Sequence, residues 1–168
     1  PLTNLGRAFA WQGSTTHPVG DQLFTAGGYD FSVASDLNQL GQLTGYAVSS
    51  VTGAFTGFVW TTAGFTYITA AGGAAAPIFP RAINNHGQVV GAVTSPFTGE
   101  QQAFTWTAAT GTVDLLSRII NPPAGLVLTD ATAISDNGSI VAASSTGLLL
   151  LTPADANTPI PPALGTIA

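Results

Sequence analysis

The chain contains no cysteine, no methionine and no lysine. Without cysteine there is neither a disulfide nor a thiolate metal site. Its cations are Arg7, Arg81 and Arg118, and Glu100 is the one glutamate beside seven aspartates. Only 7% of residues are charged, against roughly 25% in an average globular protein. A net charge of −5 with three scattered arginines leaves no basic patch, which argues against a nucleic-acid partner. Glu, Lys and Arg are the charged residues on which helices rely, and their scarcity argues against a helical architecture. The longest uncharged apolar stretch, residues 70–80, is rich in Gly, Ala and Pro and too short to span a bilayer, so no transmembrane segment is expected. The chain opens on Pro1 without a basic and apolar leader, which reads as a processed chain or a fragment.

The residues that are present suit strands and tight turns. Hydrophobic residues make up 45% of the 168 positions and the mean hydropathy is +0.37, a composition that favours a packed core over disorder. Gly, Thr, Ala, Val and Ser abound, and they suit strands and tight turns. A weakly charged surface also repels its neighbours poorly, which favours association.

Two motifs recur together. The first reads Asp36-Leu37-Asn38-Gln39-Leu40-Gly41, then Ala82-Ile83-Asn84-Asn85-His86-Gly87, then Ala133-Ile134-Ser135-Asp136-Asn137-Gly138. Its glycines stand 46 and 51 residues apart. The second reads Ala8-Phe9-Ala10-Trp11, Gly57-Phe58-Val59-Trp60 and Ala103-Phe104-Thr105-Trp106, with a degenerate fourth copy at Leu148-Leu149-Leu150-Leu151. All three tryptophans fall on it, and in both complete units its Phe lies 17 residues beyond the turn glycine. Such a shared period marks an array of like modules. Each module reads as four short strands. The Asn-x-x-Gly element is a tight turn, with Asn38, Asn84 and Asp136 capping it and Gly41, Gly87 and Gly138 accepting positive φ. Apolar residues on both faces of the strands, such as the adjacent Val89 and Val90, predict sheets sandwiched between other sheets. On that geometry Phe9, Trp11, Phe58, Trp60, Phe104 and Trp106 are inter-sheet packing residues.

Candidate chemistry is sparse. His86 sits in the turn where the sibling units carry Leu40 and Asn137, and reads as turn filler; His17 precedes Pro18 near a strand start. No His-x-x-x-His pair and no Gly-x-Ser-x-Gly is present, so no catalytic or metal residue is assigned and the chain is not expected to be an enzyme. A hydrolase would require His17 or His86 to meet a nucleophile or a metal in a cleft. The aspartates read as caps of local backbone amides. Calcium held by Asp and Asn loops is the one cofactor to consider, although no Asp-x-Asp-x-Asp-Gly loop sharpens it.

The run Ala82-Ile83-Asn84-Asn85-His86-Gly87-Gln88-Val89-Val90-Gly91, followed by Ala103-Phe104-Thr105-Trp106, resembles the HAF-type extracellular repeats of secreted bacterial proteins. The opening Leu2-Thr3-Asn4-Leu5-Gly6 is similar to the end of such a unit. The resemblance spans about residues 2–152, is strongest over 82–106, and departs from the pattern at Leu151, where Trp is replaced. It implies secretion or surface display and a propeller-like fold, and supplies no catalytic residue. The expectation is therefore all-β: a β-propeller-like array of about three and a half four-stranded blades, with units near 1–20, 35–69, 80–117 and 131–152 and a Pro-rich tail at 153–168. A ring needs at least four blades, so either the chain is cut from a longer protein or copies of it complete one another, as a homo-oligomer or as a fibre. The expected role is secreted assembly at the cell surface or beyond. The alternative is a module that binds a glycan or a surface protein through Tyr29, Tyr46, Tyr67 or Trp11.

Overall fold

A computed structural model describes residues 6–12, 14–71 and 76–154. The opening Leu2 to Leu5 of the resemblance and most of the Pro-rich tail, from residue 155 onward, lie outside the described residues. The architecture is mostly β with one α-helix, in four antiparallel sheets. A two-stranded hairpin, β1 (Ala10–Gln12) and β2 (Thr15–His17), precedes α1 (Val19–Gly27). The first large sheet is the meander β3 (Phe31–Leu37), β4 (Leu43–Val48), β5 (Phe55–Thr61), β6 (Gly64–Ile68). The second repeats that order with β7 (Ile78–Ile83), β8 (Val89–Thr94), β9 (Gln101–Thr107) and β10 (Gly111–Asp114), followed by a 3-10 turn at Leu115–Arg118. The third has three strands, β11 (Leu128–Ile134), β12 (Ile140–Ser144) and β13 (Gly147–Leu151).

Among the described residues no sheet closes on itself into a barrel. In chain order the described sheets have two, four, four and three strands. Successive sheets lie face to face. Strand β7 lies against β3, β4 and β5, and β11 lies against β7, β8 and β9. This layering explains the apolar character of both strand faces. In β8, Val89 enters the core shared with the first sheet, beside Val59, Ile68, Phe104 and Trp106. Its neighbour Val90 enters the core shared with the third sheet, beside Ala103, Leu128, Ala131 and Leu149. The period of two along a strand sends adjacent valines to opposite cores.

The helix was not foreseen from the sequence. Val19 and Leu23, four residues apart and fully buried, put one face of α1 onto the first sheet beside Ala8, Leu43, Phe58 and Trp60. Gly28 ends the helix in the left-handed conformation and donates its N–H to the Phe24 carbonyl. Helix α1 thus covers the face of the first sheet that the second sheet does not reach. Among the described residues, no helix is long and apolar enough to cross a membrane.

Candidate functional site: the turn ladder and the open faces

The three Gly turns share one construction. Asn38 N–H donates to the Gln42 carbonyl and Gly41 N–H to the Asn38 carbonyl; Asn84 with Gln88 and Gly87, and Ser135 with Ser139 and Gly138, do the same. Gly41, Gly87 and Gly138 take φ of 75°, 71° and 81°, the left-handed position that closes a three-residue hairpin loop. Asn38 Oδ1 accepts from Leu40 N–H at 3.0 Å and Gln42 N–H at 2.9 Å. Asn84 Oδ1 accepts from His86 N–H and Gln88 N–H, both at 3.0 Å. Each Asn side chain therefore caps its own turn through its oxygen.

The amide nitrogens of the same side chains reach sideways. Asn38 Nδ2 donates to the Asn84 carbonyl at 2.9 Å, and Asn84 Nδ2 donates to the Ser135 carbonyl at 3.1 Å. One residue further along, Gln39 N–H donates to Asn85 Oδ1 at 2.9 Å and Asn85 N–H donates to Asp136 Oδ1 at 2.9 Å. Asn85 Nδ2 adds a bond to Asp136 Oδ2 at 2.7 Å. Both asparagines at the first position are buried. The turns form a directional ladder across the three sheets. Spacing alone did not reveal these lateral bonds. The signal was the amide at the first turn position, an Asn in the first two turns that can cap and link at once, followed by an acceptor side chain, Asn85 or Asp136, in the next turn.

Asp136 thus lies at the second turn position, one residue beyond the place of Asn38 and Asn84, and its carboxylate accepts from the neighbouring turn. These bonds, first from the Asn85 backbone N–H and then from its side chain, hold the Asp136 carboxyl below the usual Asp range. Ser135 takes the asparagine's place, and its hydroxyl stays within its own turn, where Ser139 N–H donates to it at 3.0 Å. The ladder's forward amide ends there.

Of the six aromatic residues expected between sheets, Phe58, Trp60, Phe104 and Trp106 are buried. Phe104 and Trp106 face the first sheet, while Phe58 and Trp60 face α1 and Ala8. Trp60 Nε1 donates to Gln22 Oε1 at 3.0 Å, and the His17 ring lies 5.3 Å away, tilted. Phe9 and Trp11 differ: they are 53% and 75% exposed. Their neighbours Ala8 and Ala10 take the inward side of that segment, so the aromatic pair points away from the first sheet. A second open surface lies at the other end, where Leu148 and Leu150 of β13 are 57% and 45% exposed.

Other candidates are placed as follows. Tyr46 packs in a half-buried group between the first two sheets, 5.2 Å from Phe79 and 6.4 Å from Phe31. Tyr29 and Tyr67 pair at 6.2 Å. Burial raises the Tyr67 phenol above its usual range. Asp30 is buried and accepts from Ser50 through both its hydroxyl and its backbone N–H, which lower its carboxyl below the usual range. His86 is exposed in its turn. Among the described residues no three of His, Cys, Asp and Glu gather as metal ligands would. A shallow cleft of about 200 Å³ is lined by Ala70, Val93, Gln102, Phe104, Thr112 and Asp114. Comparison with protein-family models, with curated proteins and with solved structures returned no match.

Proposed function

We propose that this chain is a structural subunit whose stacked sheets serve self-association into an extracellular multimer or fibre, with the sheets as blades of a propeller-like array. One observation supports the reading above the others: the stack is built to be continued. Its layers are joined by apolar faces and a directional turn ladder, and among the described residues the outer face of the third sheet leaves Leu148 and Leu150 exposed. In arrays of this kind a face left to water is polar, and an apolar one calls for a further layer upon it. The sparse charge of the chain and the resemblance to HAF-type repeats support a place outside the cell.

The test is sedimentation velocity of the full chain across a hundredfold range of concentration. The expected result is a concentration-dependent rise in mass. A strict monomer at the highest concentration refutes the assembly reading. The aromatic residues Tyr29, Tyr67 and Trp11 carry the second reading, a binding module, which predicts that a glycan or protein ligand quenches tryptophan fluorescence while the mass stays constant.

A further inference from the structure

We infer that self-association is head to tail, the Phe9/Trp11 side of one copy seating on the Leu148/Leu150 face of a second copy. The inference rests on the assembly reading above and specifies its joint.

The argument is one of equivalent positions. The strand registers align Val59 with Thr105 and Leu150, and Thr44 with Val90 and Val141. They likewise align Gly57 with Ala103 and Leu148. In the first sheet Thr44, Gly57 and Val59 are buried beneath the second sheet. In the second sheet Val90, Ala103 and Thr105 are buried, with Val90 and Ala103 in the core beneath the third. In the third sheet the same positions are open: Val141 is half-buried, and Leu148 and Leu150 are exposed. This face carries larger apolar side chains than its covered counterparts, and it bears no charge at these positions.

The complementary surface is at the other end. Phe104 and Trp106 cover Val59 and Ile68 of the sheet before them. Phe9 and Trp11 occupy the same places in the Ala-Phe-x-Trp motif, yet nothing among the described residues lies before them. A second copy's open face supplies for Phe9 and Trp11 what the first sheet supplies for Phe104 and Trp106. The contact is continuous in kind with the internal interfaces. It joins unlike surfaces, so it propagates into a ring or a filament rather than stopping at a two-fold pair. The joint is also weaker than the internal ones, because Ser135 lacks the forward amide of Asn38 and Asn84, and the β1–β2 hairpin offers two strands where the second and third sheets offer four and three.

Two full-length variants test it, Trp11→Asp and Leu148→Asp, each checked for folding by circular dichroism. Each alone should weaken self-association by roughly thirtyfold or more, the loss typical of a central apolar contact. Mixing the two should restore one joint, the Trp11 side of the Leu148→Asp chain on the Leu148 face of the Trp11→Asp chain, and so give a capped pair that grows no further. If the unmutated chain associates but neither variant weakens it, the head-to-tail joint is wrong while the assembly reading stands. If the unmutated chain is a strict monomer, both fall. A large drop in the monomer's melting temperature for Leu148→Asp, more than about 6 °C, would mean that this face is already covered within the single chain, and would overturn the inference.

Discussion

Replacing Asn84 by Ala isolates the ladder from the cores. The Asn84 side chain is buried and makes four hydrogen bonds: two accepted from His86 and Gln88 N–H, and two donated to the Ser135 carbonyl and Gln88 Oε1. Losing the local cap costs about 1 kcal/mol, as at a helix N-cap. Losing the lateral bond to Ser135 costs about another 1 kcal/mol. The half-buried Gln88 N–H, left without its acceptor, adds on the order of 1 kcal/mol. His86 is exposed and water takes over its N–H. The sum is about 2–3 kcal/mol, which for a domain of this size lowers Tm by about 4–12 °C. Urea unfolding followed by tryptophan fluorescence, in dilute solution, should show a lower midpoint with an unchanged slope. Asn84→Asp separates the two roles. It keeps the capping oxygen, loses the donor, and places a carboxylate beside the Ser135 carbonyl. It should fall between the wild type and the alanine variant. A loss under about 0.5 kcal/mol for Asn84→Ala, or an aspartate variant as stable as the parent, would refute the claim that the ladder joins the sheets.

Two further outcomes follow from close packing and from charge. A Cβ on Gly91 would run into the Phe79 carbonyl oxygen and come within 2.9 Å of Phe104 Cε1, so Gly91→Ala should cost about 3 kcal/mol or more, whereas Gly53→Ala, at φ 68° in open space, should cost about 1 kcal/mol; thermal unfolding of the pair checks the order. Asp30 and Asp136 have carboxyls held below the usual carboxylate range by the hydrogen bonds they accept from Ser50 and Asn85. A lowered folded pKa stabilises above the unfolded pKa and is lost as pH falls through the folded value. The urea midpoint should therefore decline as pH drops below about 4, and Asp30→Asn with Asp136→Asn should flatten that decline. Asp130 acts in the opposite sense: burial raises its carboxyl despite the nearby Arg81, so its contribution is present at low pH and lost as pH rises through the raised value.

The Gly turns and the Phe-x-Trp strands were legible because each depends on a local requirement. Positive φ demands Gly at 41, 87 and 138, and strands buried on both faces demand uninterrupted apolar side chains. The first strand of each sheet was less legible. Strands β3, β7 and β11 begin at Phe31, Ile78 and Leu128, before the starts expected at 35, 80 and 131, and each carries a register shift that breaks the alternation a reader would count. Helix α1 was hidden for a different reason. It carries Gly20 and Gly27 and starts after Pro18 without a side-chain cap, so propensity argues against it, and burial of Val19 and Leu23 overrides that preference. The exposure of Phe9 and Trp11 could not be read from the motif at all. The motif specifies which side of a strand is aromatic, and only the arrangement of layers decides whether that side is covered.

The degenerate fourth copy shows the same packing logic in a substituted form. Phe58 pairs across the strands with Gly45, and Phe104 with Gly91. At both glycines a Cβ would meet the ring of that phenylalanine and the carbonyl of a neighbouring strand. In the third sheet Leu149 takes the phenylalanine's place, and its partner is Ala142, fully buried. The shorter leucine leaves room for the alanine Cβ, so the two departures from the motif compensate each other. Leu149 and its neighbour Leu151 turn inward to the core shared with the second sheet. The alternation of the strand then forces Leu148 and Leu150 outward. A sheet face meant to meet water would carry polar residues at those two positions at no cost to its inner core. That leucines stand there instead is the strongest sequence-level reason to expect a partner on that face.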